Sequence, residues 1–117
     1  MSGTSIDAVD AALILTDGER VLDFGPVAER KYTASERDTL KATVDAARKW
    51  KWIGPEPAAA FAEAERVLTR THRDAWQILL EGWTGPRPAI AGVHGQTVLH
   101  RAPQDGEAGR TRQILDA

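Results

Sequence analysis

The 117-residue sequence contains no cysteine, which excludes disulfide bonds and thiolate metal sites. It has only three histidines, His72, His94 and His100. No two of them have the four-residue spacing at which a helix presents a pair of histidines to zinc. We therefore do not expect a zinc enzyme, and we assign no metal ligand among the side chains.

The sequence also lacks a long apolar run and a surplus of positive charge. Hydrophobic residues make up 42% of it, too many for wholesale disorder. No run approaches the roughly 20 apolar residues of a membrane-spanning helix. Fifteen basic and seventeen acidic residues give a net charge of -2, whereas nucleic-acid binding usually needs a basic surplus. Residues 1–7 show neither a basic start nor an apolar signal core, so we expect a cytoplasmic protein with no membrane or nucleic-acid partner.

The order of local patterns predicts an α/β fold that starts with a β-hairpin over residues 8–32. Short apolar runs and β-branched residues predict a strand over residues 8–16 and a return strand over residues 21–32. Between them, Asp17-Gly18 is a strong hairpin signal, because glycine accepts a positive φ. Pro26 predicts a bulge or an edge in the return strand.

Two helices should follow the hairpin. Thr33-Ala34-Ser35-Glu36 has the sequence of a capping box and predicts a helix over residues 35–49. Pro57 suits the start of a second helix over residues 58–81, and Gly82 suits its end. One face of that second helix carries apolar residues at helical spacing: Phe61, Ala64, Leu68, Ala75 and Leu79.

The last third of the sequence predicts strands. Residues 89–93 are all small or apolar, which predicts a short buried strand that ends at His94. We expect further strands from Val98 and over residues 111–115, joined by a polar loop over residues 103–109. A length of 117 residues suits one small domain or part of a larger one.

Two segments have the composition of ligand-binding sites. Ser2–Asp10 combines a glycine, whose neighbouring amides can approach an anion closely, with several hydroxyls and carboxylates, although an ordinary surface turn is the commoner explanation of such a composition. No Gly-Lys-Ser/Thr follows, so it is not a Walker motif. Hydroxyls suited to phosphate oxygens belong to Ser2, Thr4 and Ser5. Its carboxylates, Asp7 and Asp10, suit magnesium-bound water or pin the turn by accepting from backbone amides.

The second segment is His94-Gly95-Gln96-Thr97, directly after the predicted strand at 89–93. In open α/β sheets, ligands bind beyond the carboxyl ends of strands. Neutral histidine, amide and hydroxyl groups suit the hydroxyls and amides of a sugar. A polar turn with a structural histidine is an equally good explanation of this segment alone.

Together, the segments Met1–Asp7, His94–His100 and Gln113–Asp116 resemble, in order and spacing, the N-terminal motifs of the anhydro-N-acetylmuramic acid kinase family. The resemblance covers essentially the whole chain. It implies an incomplete part of an actin/Hsp70/hexokinase-like (ribonuclease H-like) fold, namely the N-terminal ATPase-like domain. It also implies ATP and Mg²⁺ as cofactors and an amino sugar as substrate, which the family opens at its 1,6-anhydro ring and phosphorylates on O6 in cell-wall recycling. A homodimer of the full-length enzyme is a further expectation.

By position in the motifs, the resemblance implies ATP-phosphate contacts for Gly3, Thr4, Ser5, Asp7, Ala8 and Asp10. It implies a place on the sugar side for His94, Gly95, Gln96 and Thr97. Ala8 and Leu115 replace residues that are usually glycine in the family, and we expect the methyl of Ala8 to crowd the turn. The family's catalytic base lies in an Asp-Thr-Gly-Pro-Gly-Asn motif that this sequence does not contain. We therefore assign no catalytic residue, and residues 1–117 look too short to be the whole enzyme.

Two other functions stay open at this point. One is a non-catalytic remnant that binds a nucleotide or a sugar. The other is an interaction module in which the helix over residues 58–81 pairs with a partner. The basic and aromatic cluster over residues 48–52 suggests stacking on bases or sugars, but we interpret it as a solvated helix end whose tryptophans pack on the domain.

Overall fold

The computed structural model describes residues 1–114 and has the predicted α/β character, with two antiparallel hairpins and two helices. Strand β1 pairs with β2, and β3 pairs with β4. The elements in chain order are β1 (Ala8–Thr16), β2 (Val21–Lys31), α1 (Ala34–Trp50), α2 (Ala58–Leu80), β3 (Gln96–Arg101) and β4 (Arg110–Ile114).

The first hairpin forms as predicted. At its tip the Asp17 carboxylate accepts from the amides of Glu19 and Arg20, at 2.9 and 2.8 Å, and Gly18 has a φ of +98°. Pairing shifts register after Ala12↔Val27, and Ile14 then faces Phe24. This shift is the β-bulge predicted from Pro26, which has no amide hydrogen to contribute to the ladder.

Both helices confirm their predicted signals. Thr33 and Glu36 form the full capping box at the start of α1. Helix α2 ends at Leu80, and Gly82 follows with a φ of +72°. The buried face of α2 contains all five predicted residues and two more, Val67 and Thr71.

Helix α2 packs against α1, β1 and β2, so its apolar face is used inside the chain. An interaction module that pairs through that apolar face would need it to be free, and the face is already covered. The buried core includes Leu40, Phe61, Leu68, Val98 and Ile114, which come from both helices and both strands of the second hairpin. No helix among residues 1–114 is long and apolar enough to cross a bilayer.

An ionic cluster centred on the buried Glu36 joins β2 to the two helices. We call it the Glu36 cluster, and it consists of Arg30, Glu36, Arg70 and Asp74. Glu36 accepts from both arginines, and Arg30 also bonds to Asp74 at 3.1 Å. The hydrogen bond from Arg30 is the main reason that the pKa of Glu36 falls from its ordinary 4.5 to about 2.

The predicted strand over residues 89–93 is wrong. This segment is neither helix nor strand, and Ile90 is 89% exposed. An apolar run forms a buried strand only when neighbouring strands pair with it, and none among residues 1–114 does. Strand β3 instead begins at Gln96, inside the predicted sugar motif. Of the predicted last strand, residues 111–114 belong to β4, and Leu115 lies outside the described residues.

The basic and aromatic cluster packs on the domain, as we interpreted it. Trp50 meets Phe61 edge to face, with ring centroids 6.0 Å apart, and donates its indole N–H to the carbonyl of Gly54 at 3.0 Å. The guanidinium groups of Arg101 and Arg110 lie 5.9 and 5.0 Å from the ring centre of Trp52. This ring is therefore covered by cations of the second hairpin.

Candidate functional site

The glycine- and serine-rich segment forms a tight turn just before β1, as predicted. The amide of Ile6 donates to the carbonyl of Gly3 at 3.2 Å, and the exposed residues Thr4 and Ser5 form the corner of the turn. Ile6 is buried and has a φ of +52°, which is uncommon for a β-branched residue. Such strain persists only where the surroundings hold it, and it is concentrated at functional sites.

Ala8 does not crowd this turn. It is the first residue of β1, pairs with Lys31 and is buried, and it is not among the residues with a positive φ. The left-handed residue of the turn is Ile6, two positions earlier. The expected conflict between a methyl group and the turn is therefore wrong, because β1 begins at the position where glycine is usual in the family.

Asp7 pins the turn through its side chain. One of its carboxylate oxygens accepts from the hydroxyl of Ser5 at 2.6 Å and from the amide of Ala8 at 3.0 Å. These hydrogen bonds lower the pKa of Asp7, so it is ionised at neutral pH. Among residues 1–114, Thr4 is the one hydroxyl of the segment's three that has no hydrogen-bond partner. It is therefore the hydroxyl available to a ligand.

Ser2 points into the protein, not toward a ligand as we expected from its hydroxyl. Its hydroxyl donates to the side-chain oxygen of Gln96 at 2.7 Å and accepts from the hydroxyl of Tyr32 at 2.7 Å. The Gln96 amide nitrogen donates to the carbonyl of Thr97 at 3.1 Å. We call Ser2, Tyr32 and Gln96 the Ser2 network. Burial raises the pKa of Tyr32, so its hydroxyl is a neutral donor.

The third motif lies against the second. Thr97 pairs with Gln113 across the second hairpin, and the Gln113 amide donates to the Thr97 hydroxyl at 3.1 Å and lies 3.0 Å from the Nε2 of His94. The carbonyl of His94 accepts from the amide of Ser2 at 3.2 Å. Ser2, His94 and Gln113, one from each of the three motifs and up to about 110 residues apart in sequence, are therefore close together in the fold.

An open groove of about 570 Å³ lies between the turn, α1 and β3. Four residues predicted to bind ligands line it: Thr4, Ser5, Gln96 and Thr97. The other predicted residues lie outside its lining: Gly3, Asp7, Ala8, Asp10, His94 and Gly95. The structure therefore brings part of the predicted phosphate segment and part of the predicted sugar segment to one surface.

The groove also has two cations of α1 that were given no site role from the sequence, Lys41 and Arg48. Arg48 lies 3.9 Å from the Asp45 carboxylate, whereas Lys41 has no ion pair among residues 1–114. Lys41, Val44 and Arg48 follow one another at spacings of three and four residues, which places them on one face of α1. This spacing is the one sequence signal that could have indicated a shared face. They supply positive charge beside a turn whose own charged groups are carboxylates.

The described residues contain no group of three His, Asp or Glu side chains able to hold a metal ion by themselves. Magnesium rarely needs such a cage, because it keeps several waters and is bound through one or two carboxylates together with substrate phosphates. The Asp7 and Asp10 side chains, both exposed beside the turn, fit that mode of binding.

Comparison with known proteins gives one consistent result. The family model for anhydro-N-acetylmuramic acid kinase matches residues 1–117. Curated proteins named anhydro-N-acetylmuramic acid kinase are 50% identical in Mesorhizobium japonicum and in Rhizobium rhizogenes, each over 99% of this chain and 32% of the relative. One in Phenylobacterium zucineum is 45% identical over 100% of this chain and 32% of the relative. The chain thus spans about a third of the length of these relatives, and no solved structure matches it.

Proposed function

Since the chain belongs to the anhydro-N-acetylmuramic acid kinase family, we propose that it acts as the N-terminal nucleotide-binding part of a cytoplasmic, ATP-dependent kinase. The substrate we propose is 1,6-anhydro-N-acetylmuramic acid, converted to the 6-phosphate in cell-wall recycling. One observation carries the proposal: the exposed turn at Thr4 and Ser5 and the motif residues Gln96 and Thr97 line the same groove.

The phosphate side of the site is the turn over residues 3–7. The Thr4 hydroxyl and the backbone amides of the exposed residues Thr4 and Ser5 are donors suited to phosphate oxygens, and Lys41 adds a positive charge to the lining of the same groove. Phosphoryl transfer depends mainly on positioning and on stabilising charge, so a rigid turn of donors is the part expected of this region. The strained Ile6 supports a turn held in one conformation.

Magnesium, when bound with ATP, would neutralise charge on the phosphates. We propose that Asp7 and Asp10 hold it through its waters, because both carboxylates stay exposed while Asp7 also fixes the turn. On the sugar side we propose the exposed His94 and the polar residue Thr97 as the groups nearest the substrate. The finer fold, an incomplete actin/Hsp70/hexokinase-like domain, and a homodimer of the full-length enzyme belong to the same proposal.

A second candidate function is nucleotide or sugar binding without catalysis. It is favoured by one observation: the motif residues that line the groove, Thr4, Ser5, Gln96 and Thr97, are hydrogen-bonding groups suited to holding a ligand. The kinase part and the binding remnant differ in one property: only the kinase part supports phosphorylation when it is joined to the rest of a kinase.

A chimera tests this difference. Residues 1–117 replace the aligned third of the Mesorhizobium japonicum relative, and the product is followed by mass spectrometry with ATP, magnesium and the anhydro sugar. We expect magnesium-dependent formation of the 6-phosphate by the chimera, with the unmodified relative as control. A chimera that binds ATP but forms no product would favour the binding remnant. A folded chimera that binds neither ATP nor the sugar would contradict both functions.

A further inference from the structure

We propose that the Ser2 network is a positioning unit that holds the phosphate turn (residues 3–7) at a fixed place relative to the sugar segment (residues 94–97). This inference rests on the proposed function, because it says how two halves of one kinase site are aligned. Ser2, Tyr32 and Gln96 would act through their neighbours and would not themselves touch ATP or the sugar.

The geometry supports this role. The three residues come from the start of the chain, the end of the first hairpin and the start of β3, and their exposures are only 2%, 5% and 1%. The Ser2 hydroxyl lies at the centre, with one bond to each of the other two at 2.7 Å. The Ser2 amide adds a main-chain bond to the carbonyl of His94. Side chain and backbone thus tie the same two segments together.

The network residues have little capacity left for a ligand. Both polar atoms of the Gln96 side chain are engaged, by the Ser2 hydroxyl and by the Thr97 carbonyl. Gln96 borders the groove but is only 1% exposed, whereas Thr4 and Thr97 line it and are less deeply buried. Each motif therefore contains one residue that points inward to fix it and another that faces the groove.

Alignment of this kind has a large effect on phosphoryl transfer, where catalysis is mostly positioning. A displacement of about 1 Å between reacting groups can cost about a hundredfold in rate. The network residues bond to the two segments and not to the ligands. The proposal therefore predicts a loss of turnover, and not of binding, when the network is cut.

The first test uses the 117-residue chain and no ligand. Hydrogen exchange is measured at the amides of Ile6 and Asp10, which donate to the carbonyls of Gly3 and Met1. In Tyr32→Phe we expect these two amides to exchange about two- to tenfold faster relative to core amides of α2, the change expected from one lost hydrogen bond. Ser2→Ala serves as a second variant if Tyr32→Phe does not fold. Thr43→Val is the matched control, since it removes a buried hydroxyl that bonds to Thr39 and Ala60 away from the network.

A uniform change at Ile6, Asp10 and the α2 amides, equal to that in Thr43→Val, would overturn the proposal. The network would then contribute only to overall stability.

The second test uses the chimera described above. With Tyr32→Phe we expect kcat to fall about tenfold while KM for ATP and for the sugar each change less than about twofold. An unchanged kcat would overturn the positioning role. An inactive parent chimera would count against the proposed function alone, because hydrogen exchange still decides whether the network couples the two segments.

Discussion

The Glu36 cluster and the Ser2 network lie side by side, at the junction where β2 leads into α1, yet they differ in chemistry. The first consists of four charged side chains and joins β2 to both helices. The second consists of three neutral side chains and joins the turn to β3. Arg30 and Tyr32, two residues apart, belong one to each.

This difference in chemistry indicates different roles, since the Glu36 cluster stabilises the fold and the Ser2 network is proposed to align the phosphate turn with the sugar segment. None of the Glu36 cluster lies in a motif or lines the groove, whereas Ser2 and Gln96 both lie within motifs. Charged groups in the first make its contribution depend on pH, and neutral groups in the second do not. We therefore expect variants of the cluster to change folding and variants of the network to change turnover.

The largest effect is expected when residues 1–117 are tested alone, with both the Glu36 cluster and the Ser2 network intact. We predict that residues 1–117 alone form no phosphorylated sugar, because a positioned general base contributes about 10²–10⁴ to the rate and this sequence lacks the family's base motif. The measurement is mass spectrometry after incubation with ATP, magnesium and the anhydro sugar, beside a full-length relative. Product above the no-enzyme background would show that the groove is a complete catalyst.

The second prediction tests the contribution of the Glu36 cluster to stability. Since Glu36 has a pKa of about 2 in the folded chain and an ordinary value of 4.5, its stabilisation is fully present above pH 4.5 and is lost as the pH falls toward 2. Glu36→Gln should lower the free energy of unfolding at pH 7 by about 3 kcal/mol, from a shift of this size. Urea unfolding at several pH values measures it. The variant should also lose less stability between pH 5 and 2 than the parent, and equal acid sensitivity would contradict the assignment.

The third prediction concerns the phosphate turn, which we propose the Ser2 network positions. In the chimera, Thr4→Ala should reduce kcat/KM for ATP by the equivalent of about 1.5–3 kcal/mol, the value of a hydrogen bond to a charged group. Thr39→Ala is the matched control, because Thr39 is a half-buried helix residue outside the groove whose hydroxyl donates to a carbonyl of its own helix. Equal kinetics for the two variants would remove Thr4 from the phosphate site.

The smallest effect sharpens the comparison by showing what burial adds to an ion pair. Glu63 and Arg66 form an i,i+3 pair on α2, with side chains 53% and 67% exposed, in contrast to 7% for Glu36. We expect Glu63→Gln to change the free energy of unfolding by no more than about 1 kcal/mol. A loss as large as that of Glu36→Gln would mean that burial is not what distinguishes the cluster.

Features specified by neighbouring residues were predictable from the sequence. The capping box at Thr33 and Glu36 and the turn at Asp17-Gly18 depend on contacts within four residues, and both formed. The turn at Thr4 and Ser5 also formed at its predicted place. In each case the side chain that fixes the backbone is adjacent to it in sequence.

Features that depend on distant partners were not predictable. Residues 89–93 have the composition of a strand but no strand to pair with among residues 1–114. The burial of Ser2 depends on Tyr32 and Gln96, and nothing in the local sequence distinguishes its hydroxyl from that of Thr4. The contribution of Lys41 to the groove likewise depends on how α1 packs against β3.

The bulge at Pro26 has a consequence for self-association. The outer edge of β2 has no strand partner among residues 1–114, and β2 exposes 79% of both Phe24 and Val27. An apolar edge of this kind is a template on which strands of other molecules can stack into fibrils. A strand that is bent by a bulge and lacks an amide hydrogen at its middle is a poor template. Pro26 therefore makes β2 a poorer template for such stacking than an unbroken strand of the same composition would be.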